Sequence, residues 1–213
     1  MKSEVLPCYL ACDVSLSMAD HIEELNAGLR EFRGAVHADT AVAGRVLCSV
    51  IGFAETPQVV QPLFPMDDLT TMPAPGACAG TNFGPVFTFL RGVIEGDVRA
   101  LQAHRLRVHR PMVFFLSDGQ PTDPVTWPAA FASLTDPDWM CSPRMVTFGL
   151  GDADQEALAR IGTFRSYLGR DGVRMGTALI ASVMHVLSTS CPPAGRTLSG
   201  KEMPWRRTEG DRP

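Results

Sequence analysis

Oxygen-bearing side chains stand at alternating positions directly after the first apolar run of the sequence. The run VLPCYLAC is followed at once by Asp13, Ser15 and Ser17. Two more oxygen-bearing residues flank later segments, Thr81 in CAGTNFGP and Asp118 in FFLSDGQPTD. Two carboxylates and three hydroxyls form an all-oxygen set, which suits Mg²⁺, Mn²⁺ or Ca²⁺ and does not suit zinc or copper. The chemistry that these residues could perform together is therefore the binding of a hard divalent cation.

These residues can cooperate if the elements that carry them bring them to one place. Four apolar segments rich in β-branched residues are typical of strands in a sheet covered on both faces: 5–12, 44–54, 111–117 and 144–151. Asp13 and Asp118 each follow such a strand, and Thr81 precedes a helix that begins near Pro85. Since ligands of open α/β sheets bind beyond the carboxyl ends of the strands, we expect the three segments to meet there.

Amphipathic segments predict helices between the strands. The first has apolar residues at spacings of 3 and 4, which trace one face of a helix: Ile22, Leu25, Leu29, Phe32 and Val36. The second, beginning near Pro85, turns a similar face inward: Val86, Leu90, Val93 and Ile94. A third is expected to begin with Asp152 as its cap and to end at Gly162, and a fourth to span residues 177–187.

Alternating strands and helices predict the class of fold. We expect an α/β protein with a doubly wound, mostly parallel sheet flanked by helices, in a single domain over residues 1–190. Residues 191–213 contain prolines, glycines and charges without apolar periodicity, which is typical of a flexible or peripheral tail.

Composition and charge favour a soluble protein. Of the 213 residues, 45% are hydrophobic and 20% are charged, and the net charge is −4. That charge gives no electrostatic reason for binding nucleic acid or an anionic membrane, and no apolar run is long enough to cross a bilayer. The basic stretch HRLRVHR, residues 104–110, is interpreted as the end of a helix, where cations complement the helix dipole.

The six cysteines favour a reducing compartment. None forms a Cys-x-x-Cys pair, and Cys8, Cys12 and Cys48 lie within predicted strands. We therefore expect reduced, buried thiols and a cytoplasmic protein.

The motifs DVSLSM, GTNFG and LSDGQPTD together resemble the metal-ion-dependent adhesion site of von Willebrand factor type A domains. The opening segment and SDGQPTD are most similar to the bacterial tellurium-resistance, TerY-like branch. The resemblance implies a Rossmann-like fold in which Ser15 and Ser17 bind the ion directly. It also implies that Thr81 and Asp118 exchange between direct and water-mediated ligation of the ion. Asp13 is the fifth residue that the resemblance assigns to the ion site.

The resemblance further implies a non-enzymatic module that binds another protein. The partner would supply an acidic side chain to the ion, and TerY-like systems imply protein kinase or phosphatase partners and a stress response. Leu16 stands where the family most often has glycine. We expect it, with Met18 and Phe83, to contribute apolar contacts at the rim of the site.

A second hypothesis is an enzyme, a Mg²⁺-dependent phosphatase or hydrolase with Asp13 as the nucleophile. Phosphatases of the haloacid-dehalogenase type place a second aspartate two residues later as general acid, and this position holds Ser15, whose hydroxyl is too weak an acid. The loops also lack a phosphate-clamping lysine and a glycine-rich phosphate loop. The binding module is therefore preferred.

Overall fold

A computed structural model describes residues 4–74, 76 and 80–189. Its seven strands form one sheet in the order β3-β2-β1-β5-β6-β7, with the short β4 paired to β1. The strands are β1 Glu4–Asp13, β2 Val46–Phe53, β3 Pro57–Pro65, β4 Arg107–Val108, β5 Met112–Ser117, β6 Arg144–Gly149 and β7 Arg165–Leu168.

All neighbouring strands run parallel except β3, which pairs antiparallel with β2 at one edge. Strand β1 lies between β2 and β5, and Asp13 is in register with Phe53 of β2. One residue earlier, Cys12 pairs with Leu116 of β5. The carboxyl ends of β1, β2 and β5 are therefore side by side, at an edge that we call the carboxyl edge. We call the opposite edge, where these strands begin, the amino edge.

In the described part of the chain, five helices cover the two faces of the sheet: α1 Ile22–Ala38, α2 Phe83–Ala103, α3 Trp127–Leu134, α4 Gln155–Ile161 and α5 Met175–Thr189. Helices α1 and α5 bury their apolar residues against one face, and α2, α3 and α4 against the other. Because side chains alternate along a strand, β1 supplies Leu10 to the first core and Tyr9 to the second. The structure is a single, doubly wound α/β domain, as the sequence predicts.

Several local predictions are confirmed. All five apolar residues on the predicted face of α1 are buried, and so are Val86, Leu90 and Ile94 of α2, with Val93 partly buried. Cys8, Cys12 and Cys48 are buried free thiols, and burial raises the pKa of each.

Other local predictions are wrong. Helix α4 is capped by Asp154 rather than Asp152, since the Asp154 carboxylate accepts hydrogen bonds from the backbone N–H groups of Glu156 and Ala157. The stretch 104–110 begins at the end of a helix, as predicted, since α2 ends at Ala103 and His104 is its C-cap, but the last turn of α2 contains no basic residue. Arg107 instead enters β4 and forms an ion pair with Glu4 at 2.9 Å.

Strands β3 and β7 and helix α3 were not predicted from the sequence. Three prolines interrupt the pattern of β3, and β7 has only four residues, so neither has a strong strand signal. The predicted tail, 191–213, lies outside the described residues. Within the described part of the chain, no helix combines the length and the apolar character needed to cross a membrane.

Candidate metal centre

Asp13 is the last residue of β1, and its side chain is fully buried. One carboxylate oxygen, Oδ1, accepts a hydrogen bond of 3.0 Å from the backbone N–H of Ser15. The other, Oδ2, accepts one of 2.6 Å from the hydroxyl of Ser117, the last residue of β5. Asp13 therefore joins its own loop to the end of the neighbouring strand, and its orientation is set on both sides.

The two serines lie next to each other in the turn that leads into α1. Ser15 is buried and Ser17 is exposed, and their hydroxyl oxygens are 3.0 Å apart. Leu16, between them, is 56% exposed at the start of a short 3-10 turn. Among the described residues, Arg105 alone has a positive φ without being glycine, so Leu16 is not strained where the family most often has glycine.

Asp118 follows β5 and is 7% exposed, so it is nearly as buried as Asp13. Its Oδ1 accepts a hydrogen bond from the Gln120 N–H at 3.3 Å. The next residue, Gly119, has φ +74°, and a Cβ there would lie 2.9 Å from Leu158 Cγ. Because residues with a side chain rarely adopt this backbone conformation, glycine is required where the chain turns away from Asp118.

Thr81, just before α2, is held beside the loop that follows Asp118. Its backbone N–H donates to Thr122 Oγ1 at 3.0 Å, and its carbonyl accepts from the Thr122 N–H at 2.8 Å. The next residue, Asn82, donates its backbone N–H to the carbonyl of Ala54, just beyond β2. The Thr81 segment thus bridges the loops after β2 and β5, which flank β1.

A third carboxylate, Asp123, supports this arrangement. Its two oxygens accept hydrogen bonds of 2.8 Å from the backbone N–H groups of Phe83 and Gly84. These are the first two residues of α2, so a side chain from the β5–α3 loop satisfies the beginning of a helix distant in sequence. Asp123 therefore fixes the beginning of α2 relative to the loop that follows Asp118.

The charges at this edge repel one another in the absence of a cation. Burial raises the pKa of Asp13, hydrogen bonds from Ser117 and Ser15 lower it, and the charge of Asp118 raises it further. Within the described residues, Asp118 supplies the one charge that acts appreciably on Asp13. Asp13 and Asp118 are two buried carboxylates, and no cationic side chain acts on Asp13 among the described residues. A cation bound beside them would stabilise their charged forms.

The donor set fits a hard cation on chemical grounds. Asp13, Ser15, Ser17, Thr81 and Asp118 offer oxygen atoms alone, and the first three lie within one hydrogen-bonded turn. In the described part of the chain, no group of three or more His, Cys, Asp or Glu side chains is placed to hold a metal. The set at the carboxyl edge is of a different kind, because three of its five members are hydroxyls.

Sequence reasoning missed the residues that position this set and misplaced part of its rim. Ser117, Thr122 and Asp123 flank Asp118 in the same SDGQPTD segment, so proximity to a candidate ligand was the available signal. The rim prediction for Met18 and Phe83 is wrong, since both are fully buried. Met18 belongs to the core beside α1, and the ring of Phe83 packs edge-on against Phe115 at 4.7 Å. Leu16 remains exposed at the rim.

Comparisons with known proteins identify the fold. No family model matches the sequence, and no curated protein does. Among solved structures, a von Willebrand factor type A protein from Catenulispora acidiphila is 17% identical with a TM-score of 0.56, covering 87% of this chain and 42% of that one. The ArnB paralog VWA2 from Sulfolobus acidocaldarius is 15% identical with a TM-score of 0.53, covering 88% and 45%.

A third similar structure is proximal thread matrix protein 1 from the mussel byssus, described with a zinc-occupied MIDAS motif, the metal-ion-dependent adhesion site. It is 16% identical with a TM-score of 0.53, and the match covers 89% of this chain and 46% of that one. The chain thus has the fold of von Willebrand factor type A domains. It spans less than half the length of each of these three relatives.

Proposed function

We propose that this chain is a metal-dependent protein-binding module. Its carboxyl edge would hold one divalent cation through Ser15, Ser17 and Thr81, with Asp13 and Asp118 as the anionic members of the set. The cation would supply a vacant position for an acidic side chain of a partner protein. The chain's own residues hold the oxygen donors in place and keep the carboxylates buried.

The observation that carries this proposal is the position of Asp13. It is a fully buried carboxylate held between Ser15 N–H and Ser117 Oγ. The charge of Asp118 contributes to raising its pKa. A structural aspartate in this place would be expected to have a cationic partner, because an uncompensated buried charge is costly. A cation bound between the loops provides that partner.

Mg²⁺ is the proposed cation, and Mn²⁺ and Ca²⁺ are the alternatives. All three are hard ions that prefer oxygen ligands. The zinc in the mussel structure belongs to that protein, and it makes Zn²⁺ a necessary arm of any titration.

The proposed partner is a protein that presents an Asp or Glu side chain. Leu16, exposed between the two serines, would contact apolar residues beside that carboxylate. The TerY-like features of DVSLSM and SDGQPTD favour a cytoplasmic tellurium- or stress-response role alongside protein kinases or phosphatases. That finer assignment rests on sequence resemblance.

The burial of Asp13 argues against the alternative, a phosphatase with Asp13 as nucleophile. A nucleophilic carboxylate needs an accessible oxygen, but both oxygens of Asp13 accept hydrogen bonds and neither is exposed. We therefore infer that Asp13 is not a catalytic nucleophile, which favours the non-enzymatic module.

Calorimetric titration of the whole chain with Mg²⁺, Mn²⁺ and Zn²⁺, beside a generic phosphatase assay, separates the two functions. We expect one bound ion per chain, loss of binding in Asp13→Ala, and no turnover in either protein. Turnover that disappears in Asp13→Ala would support the enzyme instead. Capture of partners from extract with and without chelator then tests whether the ion is required for protein binding.

A further inference from the structure

Cationic side chains are collected at the amino edge of the sheet, opposite the candidate metal centre. Arg45 immediately precedes β2, Arg107 lies in β4, Arg110 precedes β5, and Arg144 begins β6. Parallel strands that start side by side bring these four arginines to one edge, although the chain as a whole carries a net charge of −4.

Glu4, the first residue of β1, compensates this charge in part. Its carboxylate lies 2.9 Å from Arg107 Nη1, 3.5 Å from Arg45 Nη2 and 3.6 Å from His109 Nε2. One carboxylate thus faces two guanidinium groups and an imidazole. Within the described residues, neither Arg45 Nη2 nor His109 Nε2 has a hydrogen-bond partner, although both atoms are buried.

Arg110 is oriented by three hydrogen bonds to the segment before β6. Its Nε donates to the Ser142 carbonyl at 2.7 Å, and its Nη2 donates to Ser142 Oγ and the Pro143 carbonyl, both at 3.3 Å. These three acceptors are neutral, so none of them forms an ion pair with the guanidinium that it orients. Burial, and then the nearby Arg110, lower the pKa of Arg144, as expected for two cations side by side.

A cavity of about 520 Å³ lies against this cluster. Its walls include Arg99 from α2, His109 and Arg110 from the segment before β5, and Trp139 from the α3–β6 loop. Glu95 and Asp138 also line it, and Glu95 forms an ion pair with Arg99. Its volume is within the range of small-molecule sites, about 300–1,000 Å³.

We infer that this cavity binds a small molecule bearing a phosphate group. Arg110 presents an already oriented guanidinium, and Arg99 of α2 lines the same cavity. Planar guanidinium groups recognise phosphate oxygens through paired charge-assisted hydrogen bonds. Trp139 and Val98 supply apolar surface for the remainder of the molecule. This site is independent of the ion at the carboxyl edge.

The test is binding of inorganic pyrophosphate to the full chain, measured by calorimetry without added divalent cations because pyrophosphate chelates them. Arg99→Gln and Arg110→Gln each remove one cationic group from the cavity. Arg30→Gln on α1 is the matched control, since Arg30 is an exposed arginine 4.0 Å from Glu23, outside the cavity. A phosphoserine peptide serves as a second probe.

We expect saturable binding to wild type, about tenfold weaker binding in each cavity variant, and unchanged binding in Arg30→Gln. Should Arg110→Gln fail to fold, Arg99→Gln decides alone, because its side chain is exposed and makes a surface ion pair. The inference is overturned if wild type does not bind pyrophosphate or if Arg30→Gln weakens binding as much as Arg99→Gln. Binding of the peptide without pyrophosphate would also overturn it.

Discussion

At the scale of single residues, Asp13 is held by groups from two strands before any ion binds. Ser15 N–H and Ser117 Oγ each occupy one carboxylate oxygen. Ser117 Oγ in turn accepts a hydrogen bond of 2.9 Å from the Gly119 N–H, next to Asp118. Two hydrogen bonds therefore connect the Asp13 carboxylate, through Ser117, to the backbone directly after Asp118.

Ser117→Ala tests this role directly. The substitution removes a hydrogen bond to a buried carboxylate, which typically contributes more than one between neutral groups. We expect the free energy of unfolding to fall by about 2 kcal/mol, measured by urea denaturation without divalent cations. Ser188→Ala on α5 is the control, since Ser188 is exposed and bonds a carbonyl of its own helix. Equal effects of the two substitutions would contradict the role of Ser117.

Oxygen-bearing candidates were visible in the sequence at this scale because Asp and Ser residues stood at the ends of apolar runs. The contact of Ser117 with Asp13 could not be predicted, because Ser117 is the last residue of a strand and carries no signal of its own. Met18 and Phe83 were misplaced at the rim because spacing alone does not tell which side of a turn faces the core. Both are fully buried, whereas Leu16 between the serines is exposed.

At the scale of elements, α2 is positioned by the loop that follows β5 as well as by its own sequence. The Asp123 carboxylate accepts hydrogen bonds from the N–H groups of Phe83 and Gly84, and Thr122 forms two hydrogen bonds with Thr81. The structure thereby links the Thr81 and Asp118 segments. A sequence pattern predicts the helix but not this link, since 40 residues separate Asp123 from Phe83.

Asp123→Ala and Asp154→Ala form a matched pair. Each removes a carboxylate that accepts two backbone N–H groups at the beginning of a helix, α2 or α4. We expect each to lower the free energy of unfolding by about 1 kcal/mol. Asp123→Ala alone should also weaken Mn²⁺ binding, because it releases the start of α2 beside Thr81. Equal Mn²⁺ affinity in the two variants would argue against this coupling.

Helix α2 also carries a titratable contact with the sheet. Tyr9 of β1 donates its hydroxyl to Asp97 Oδ2 at 3.2 Å. Burial raises the pKa of Asp97 to about 6, and the hydrogen bond from Tyr9 lowers it in part. A carboxyl whose pKa is raised on folding contributes stability that is complete below its unfolded pKa and is lost as pH rises through about 6.

Asp97→Asn should therefore remove a pH-dependent part of the stability. Between pH 4 and pH 7, we expect wild type to lose up to about 3 kcal/mol of unfolding free energy relative to this variant. Tyr9→Phe, which removes the hydrogen bond that lowers the pKa, should shift the loss to higher pH. Parallel stability curves for wild type and Asp97→Asn would refute the assignment.

At the scale of the whole molecule, the two edges of the sheet carry opposite charges. Asp13 and Asp118 lie at the carboxyl edge, and four arginines lie at the amino edge around Glu4. The sequence predicted the parallel sheet and hence the meeting of Asp13 with Asp118. The same logic applies to residues that precede strands, but β4 has only two residues, so the sequence of HRLRVHR predicts the helix end and not the strand that follows it.

Glu4→Gln tests how strongly the amino edge depends on its carboxylate. The substitution leaves the largely buried Arg45 without its ionic partner, so we expect a loss of about 2 kcal/mol in unfolding free energy. Glu23→Gln should have little effect, because Glu23 is an exposed residue with its arginine 4.0 Å away. A loss no larger than that of Glu23→Gln would show that the cluster does not depend on Glu4.

The central claim, that three loops hold one cation, is tested most directly by Mn²⁺ binding followed by electron paramagnetic resonance. Ser15→Ala, Thr81→Ala and Asp118→Asn each change one loop. We predict one Mn²⁺ per wild-type chain and at least tenfold weaker binding in every variant. A variant that is folded and binds Mn²⁺ as tightly as wild type would contradict the account, since its loop would then not belong to the site.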